Sequence, residues 1–346
     1  MNNEIDFISK KKPLYPISSS LMEYLKEYSR VDTYDIKYED LDHYQDTFPI
    51  IDQFGNDSLW QGLMYQQTEY KELEVKMINL YVLLKAGGDF SINEHLKLDR
   101  IDYCTFGNTK PFRVKIMNRL NDNHDYFYIK KIDASRVYGL ELEHLLSPNR
   151  INYLANKNTI IEEHIPGIPG DQFVNNNLPS ENSNKVRIAK EFVKFNERCF
   201  VRLLGDMRSY NYVIDITPDF DNEQYRIRSI DFDQQNFEGK KSIYLPQYLK
   251  ENKSFVSLCM ELLSPKSVSQ YQKEERSLMR RRARSSSRRL LKILKCMKND
   301  KIFILQKQTQ LKTELAAYMK NETYLATNSM GELLKKHLEV CLEIEL

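Results

Sequence analysis

The longest regular pattern in the first half of the chain runs from Glu69 to Ala86. There Leu73, Met77, Leu80, Tyr81 and Leu84 recur at helical spacing, and Gly87-Gly88 supplies a C-terminal stop. Before it the periodicity is weak. Ser18 to Tyr28 reads as a short helix capped by a serine, and Asp46 to Trp60, with Pro49 and Gly55, reads as irregular. Trp60, the single tryptophan, stands beside Leu59, Leu63 and Met64 and reads as an apolar anchor.

From Ile101 the period changes to two. Ile101–Phe106 and Phe112–Met117 predict a hairpin around a turn at Gly107-Asn108. Asn121-Asp122-Asn123 makes another turn, Tyr126–Ile132 a third strand, and Ser135–Leu146 a helix closed by Pro148. Thr159–Glu163 is a short apolar strand that Pro166 and Gly167 break, and Asp171–Asn184 reads as an exposed loop. Lys185–Val201 is a long helix carrying Ile188, Phe192, Phe195 and Cys199 on one side. Tyr212–Ile216 and Tyr225–Ile230 flank the polar run Thr217–Gln224 and predict a second hairpin. Past it, Gln234–Gly239 is polar and reads as mobile, Gln270–Met297 is a basic helix, and Gln306–Leu346 holds two helices parted near Asn328-Ser329.

The second hairpin changes the picture. Its outer ends must meet, which brings Asn211 to Asp231, and Asp206 is one loop away in Gly205-Asp206-Met207-Arg208-Ser209-Tyr210-Asn211. Two carboxylates and an amide are the oxygen donors that a hard divalent cation such as Mg²⁺ prefers. No run is apolar enough to span a membrane, and the start of the chain has no signal-peptide core. Hydrophobic residues make up 41% and the net charge is +2, so a buried core is expected and charge alone names no partner. The five cysteines are far apart without a C-x-x-C pair. That disfavours a zinc or disulfide framework and makes a reducing cytoplasm the expected compartment.

At Asp206-x4-Asn211, followed by a hairpin that ends in Ile230-Asp231-Phe232-Asp233, the chain resembles the protein-kinase-like superfamily, and within it the aminoglycoside and choline phosphotransferases. The resemblance covers about residues 101–239. It implies an α+β, two-lobed protein-kinase-like fold: a small antiparallel sheet lobe with one helix at 101–165, a larger mostly helical lobe at 166–346, and a helical and irregular N-terminal extension at 1–100. It further implies an ATP- and Mg²⁺-dependent transfer of the γ-phosphate to a hydroxyl acceptor, a small molecule more than a protein. Asp206 would be the base, Asn211 and Asp231 would hold the metal, and Asp233 could share in it. A third-strand lysine would hold the α- and β-phosphates. The family pattern points to Lys130, whereas Lys131 would face the other side of the sheet. The partner acid would be Glu141, which lies within the apolar arc of its helix, with Glu143 opposite on a solvated face. The strand ending in Glu163, His164 and Ile165 would lead into the hinge beside the purine.

Two departures from the family stand out. No glycine-rich loop is present beyond Gly107, and Leu204 takes the place usual for His before Gly-Asp. No Ala-Pro-Glu closes an activation segment, which disfavours a eukaryotic-type protein kinase. The alternatives are a nucleotide-binding regulator without catalysis, an AMP-transferring enzyme, or a polyanion binder. The last would use Arg276, Arg280, Arg281, Arg282, Arg284, Arg288, Arg289 and Lys292 to take an acidic, phosphorylated or nucleic-acid partner. Without interleaved aromatics, a solvated face paired with acidic segments of the same chain is the preferred reading of those arginines.

Overall fold

The computed structural model describes residues 12–31, 33–34, 36–52, 55–105, 109–181, 183–219, 222–302 and 304–346. The turn expected at Gly107-Asn108 lies outside them. The elements in chain order are α1 (Ser19–Glu27), β1 (Asp46–Ile51), β2 (Asp57–Met64), α2 (Gln67–Lys85), β3 (Leu96–Cys104), β4 (Phe112–Asn118) and β5 (His124–Lys131). Next come α3 (Ala134–Leu146), β6 (Tyr153–Ala155), β7 (Thr159–Glu163), β8 (Ile168–Pro169), α4 (Gly170–Asn176), α5 (Lys185–Arg202), β9 (Tyr212–Asp219) and β10 (Asn222–Ser229). The chain ends in α6 (Lys253–Leu262), α7 (Pro265–Ser285), α8 (Ser287–Asn299), α9 (Leu305–Met319) and α10 (Met330–Leu342). The class is α+β, as expected. No described helix is long and apolar enough to cross a membrane.

The chain forms two compact units. One comprises Pro13–Asp133 and Ile151–His164, the other Lys12, Ala134–Arg150 and Ile165–Leu346. The division expected at residue 100 is therefore not where the chain divides. β3 runs across that position, and β1 and β2 belong to the same antiparallel sheet, ordered β1-β2-β3-β4-β5-β7-β6. Asp46–Trp60 is not irregular: Pro49 sits on the edge strand β1, where a missing N–H costs no ladder bond, and Gly55 (φ +84°) lies between the two strands. Leu73, Met77, Leu80 and Leu84 of α2 share one core with Leu98, Val114, Ile116 and Phe127 of the sheet. Ser18 caps α1 by accepting from the Leu21 N–H, and α2 stops at Gly87-Gly88, both in left-handed conformations. Trp60 carries the Arg113 guanidinium 4.3 Å above its ring.

The second unit is mostly helical, with a three-stranded sheet ordered β10-β9-β8. Within it α3 has no solvated face: every residue except His144 is buried. Glu143 is thus not the exposed acid that the helical wheel suggests. Arg202 of α5 bonds its carboxylate, and Asn149 donates to it at 3.4 Å. Residues 171–184 are not all loop, because α4 inserts a fully buried Phe173. The basic helix is two helices, α7 and α8, parted at Ser286.

Candidate active site

The catalytic-loop candidate follows α5, whose last turn is closed by Leu203 in a left-handed conformation (φ +53°). The loop is stitched to the segment after the second hairpin. The Gly205 N–H donates to the Gln234 carbonyl at 3.1 Å, the Asn236 N–H to the Leu203 carbonyl at 2.8 Å, and the Asp206 N–H to the Ile243 carbonyl at 3.2 Å. A Cβ at position 205 would stand 3.0 Å from Ile243 and 3.2 Å from that Gln234 carbonyl, so glycine fits the close approach. The segment 234–239 is therefore buried rather than mobile. Its polar side chains satisfy backbone groups of the unit: Gln235 donates to the Arg202 carbonyl at 2.6 Å and Asn236 to the Met330 carbonyl at 2.5 Å.

β9 and β10 pair in register from Tyr212–Ser229 to Asp219–Asn222, and the Ile230 N–H donates to the Asn211 carbonyl at 3.0 Å. The hairpin thus joins Asn211 to the Ile230-Asp231 step, as the alternation predicts. Asn211 Nδ2 donates to the Asp206 carbonyl at 2.8 Å and lies 3.5 Å from Asp206 Oδ2, which turns Oδ1 of the amide to the other side. Asp206 itself has a left-handed backbone (φ +59°), and Arg208 Nε donates to its Oδ1 at 2.7 Å while Arg208 Nη1 reaches Glu251 at 2.9 Å. Burial pushes the Asp206 carboxyl up to about 6, the Arg208 pairing works against this, and the nearby charges of Asp231 and Glu251 add to it. Asp231 Oδ1 accepts from Arg136 Nη1 at 2.8 Å, and the same nitrogen reaches Asp233 Oδ1 at 2.7 Å.

Asn211 and Asp231 could hold a divalent cation through oxygen donors. Asn211 offers an amide oxygen, and Asp231 is a carboxylate with a second oxygen on a side chain one-third exposed. Among the described residues no three His, Cys, Asp or Glu are grouped as an all-protein cage. An apolar groove of about 580 Å³, lined by Phe192, Val193, Tyr248, Met260, Leu263 and Val268, contains none of these polar residues.

The remaining predicted residues have other company. Lys130 is buried and donates to Glu162 Oε2 at 3.0 Å, whereas Lys131, one position on, is exposed. Glu141 is fully buried, but its carboxylate is gripped in bidentate fashion by Arg289 at 2.8–3.1 Å. Each of the two expected partners is therefore bonded by a different residue of its own unit. Glu163 accepts from the Asn152 N–H at 2.7 Å and lies 3.5 Å from Lys85. The His164 N–H donates to the Tyr126 carbonyl, and its own carbonyl accepts from Lys85, so these backbone groups are used within the sheet unit. Its ring meets the Tyr128 hydroxyl at 3.1 Å, and burial lowers its pKa. Ile165 is buried and begins the next segment of the helical unit.

Of the arginine series, Arg276 pairs with Glu197 and Arg280 with Glu343, each at 2.5 Å, while Arg281, Arg284 and Arg288 stay exposed. Sequence reasoning missed Arg136, Arg208, Glu162 and Glu251, and it placed Arg289 in the basic series without its pairing to Glu141. A usable signal existed for Glu162 alone, an acid sharing a strand face with Ile160. Neither a protein-family model nor a curated protein matches this chain.

Proposed function

We propose that the chain is an ATP- and Mg²⁺-dependent phosphotransferase of protein-kinase-like, two-lobed fold, acting on a hydroxyl acceptor that is a small molecule more than a protein. The observation that carries this is the gathering of Asp206, Asn211 and Asp231 by one loop and one hairpin of the helical unit. Asp206 is the base: its Oδ1 is tied to Arg208, and its carboxylate orients and takes the proton of the acceptor hydroxyl. Asn211 and Asp231 hold the metal, which supplies neutralisation of charge on the phosphates. Lys130, which the resemblance makes the phosphate lysine, is held within the sheet unit by Glu162.

Thermal unfolding with and without ATP and Mg²⁺ tests this, because a ligand that binds only the folded chain raises the midpoint. The wild type is expected to shift in a metal-dependent way and Asp231→Ala to lose the shift. Asp206→Asn keeps nucleotide binding but loses transfer from labelled ATP by roughly 10²- to 10⁴-fold. A wild type that does not respond to millimolar nucleotide overturns the assignment.

A further inference from the structure

The acid segment rests on a buried cation. The Arg136 side chain is 3% exposed, and the two carboxylates it bonds, Asp231 and Asp233, are 34% and 22% exposed. One guanidinium nitrogen, Nη1, serves both acids, and the second, Nη2, donates to the Ile230 carbonyl at 3.3 Å. The helix that delivers Arg136 is seated directly on the segment. Ser135 Oγ donates to the Asp233 carbonyl at 3.1 Å. A Cβ on Gly139 would come within 2.9 Å of Phe232 Cβ and 3.2 Å of the Phe232 carbonyl, so only glycine lets α3 approach so closely. The Asp233 N–H also donates to Asp231 Oδ1 at 3.2 Å, which fixes the spacing of the two acids from within the segment.

Two carboxylates held side by side repel, and a guanidinium taken out of water is costly unless paired. Each solves the other's problem. Arg136 offsets charge on both acids, and each acid keeps part of its side chain in water.

We propose that Arg136 is a built-in cation. It is a positioning residue that mounts Asp231 and Asp233 side by side and fills the place between them that a divalent cation would take in its absence. The proposal rests on the phosphotransferase reading for its meaning, but its test needs no nucleotide.

Thermal unfolding of the full chain is measured in EDTA and in millimolar MgCl₂, with NaCl matching ionic strength, for the wild type, Arg136→Gln, Arg136→Lys, and Arg136→Gln combined with Asp233→Asn. Arg136→Gln is expected to lower the midpoint in EDTA by roughly 10 °C. Magnesium should recover much of that loss and NaCl none, because the ion takes up the vacated charge position. Arg136→Lys should lose less and gain little from magnesium. Adding Asp233→Asn to Arg136→Gln should raise the midpoint in EDTA and remove the magnesium response, since the repulsion is gone.

A merely structural arginine would show neither the magnesium recovery nor the rescue by Asp233→Asn, and either absence overturns the proposal. If Arg136→Gln does not fold under any condition, the double variant decides: folded supports the built-in cation, unfolded refutes it. A wild type that binds Mg-ATP, with no magnesium recovery in Arg136→Gln, sinks this inference and keeps the phosphotransferase assignment. Recovery without any nucleotide binding does the reverse.

Discussion

In the sheet unit the acid is the hidden member of the ion pairs around Asp102 and Glu162. Asp102 is fully buried beneath Arg100 and Arg113, which bond it at 2.5 and 2.7 Å and are partly exposed, and Glu162 is more deeply buried than Lys130. At the acid segment of the helical unit the order is inverted, with Arg136 buried and Asp231 and Asp233 facing water. A buried acid under its cations is satisfied by the chain itself. Exposed acids over a buried cation keep a negative field directed outward, and that attracts further cations. The burial order differs between these pairs and the acid segment, and with it the side on which the charge meets water.

The comparison is broken most strongly at the sheet unit's pair. Lys130→Met leaves Glu162 buried with its cation gone and is expected to cost about 3–5 kcal/mol, read by denaturant unfolding. Lys131→Met, on the exposed side of the same strand, should stay within about 0.5 kcal/mol. Equal costs for the two would mean that the pair with Glu162 does not hold β5 to β7.

A second contrast lies in how the units respond to acid. In the helical unit His337 is fully buried: its Nε2 donates to the Phe200 carbonyl at 3.0 Å and its Nδ1 lies 2.9 Å from the Tyr324 hydroxyl. Burial lowers its pKa from 6.5 to about 3. Between those values the unfolded chain binds the extra proton, so stability is complete above pH 6.5 and is lost on acidification. The loss is about 1.4 kcal/mol per pH unit at most. Asp206 works the other way: its raised pKa adds stability as pH falls from about 6 to 3.8. The His337 contribution is therefore read as the difference between the wild type and His337→Gln across pH. A flat difference would contradict a neutral buried imidazole. In the sheet unit the pKa of His164 is lowered by burial too, but Asp125 opposes the shift, so a smaller pH effect is expected there.

The smallest effect belongs to the arginine series. Arg280 pairs with the largely exposed Glu343, and Arg280→Ala should cost about 0–1 kcal/mol and fade with salt. A larger loss would mark that face as more than a solvated surface.

Elements with a sustained local period are legible in the sequence. α2, α5, the strands β3 to β5 and the β9–β10 hairpin lie within a few residues of where the pattern places them. The meeting of Asn211 with Asp231 is legible for the same reason, because turn chemistry and alternation set a hairpin's register within twenty positions. The β1–β2 hairpin is not, since Pro49 reads as a breaker unless its strand is an edge, and strand order is a tertiary property. The break at Ser286 is hidden as well, because helical spacing continues on both sides of it.

By itself, then, the sequence determined the α+β class, most elements, and the local loop and hairpin that gather Asp206, Asn211 and Asp231. It did so because each depends on periodicity and turn residues acting over short separations. Tertiary structure alone decided the charge partners: Lys130 with Glu162, Glu141 with Arg289 across 148 positions, Glu143 with Arg202, and Arg136 with two acids nearly a hundred residues away. It also decided that 234–239 is buried. The physical reason is that a buried charge takes whichever opposite charge the assembled elements bring within a few ångströms, and no local pattern of residues encodes which elements those will be.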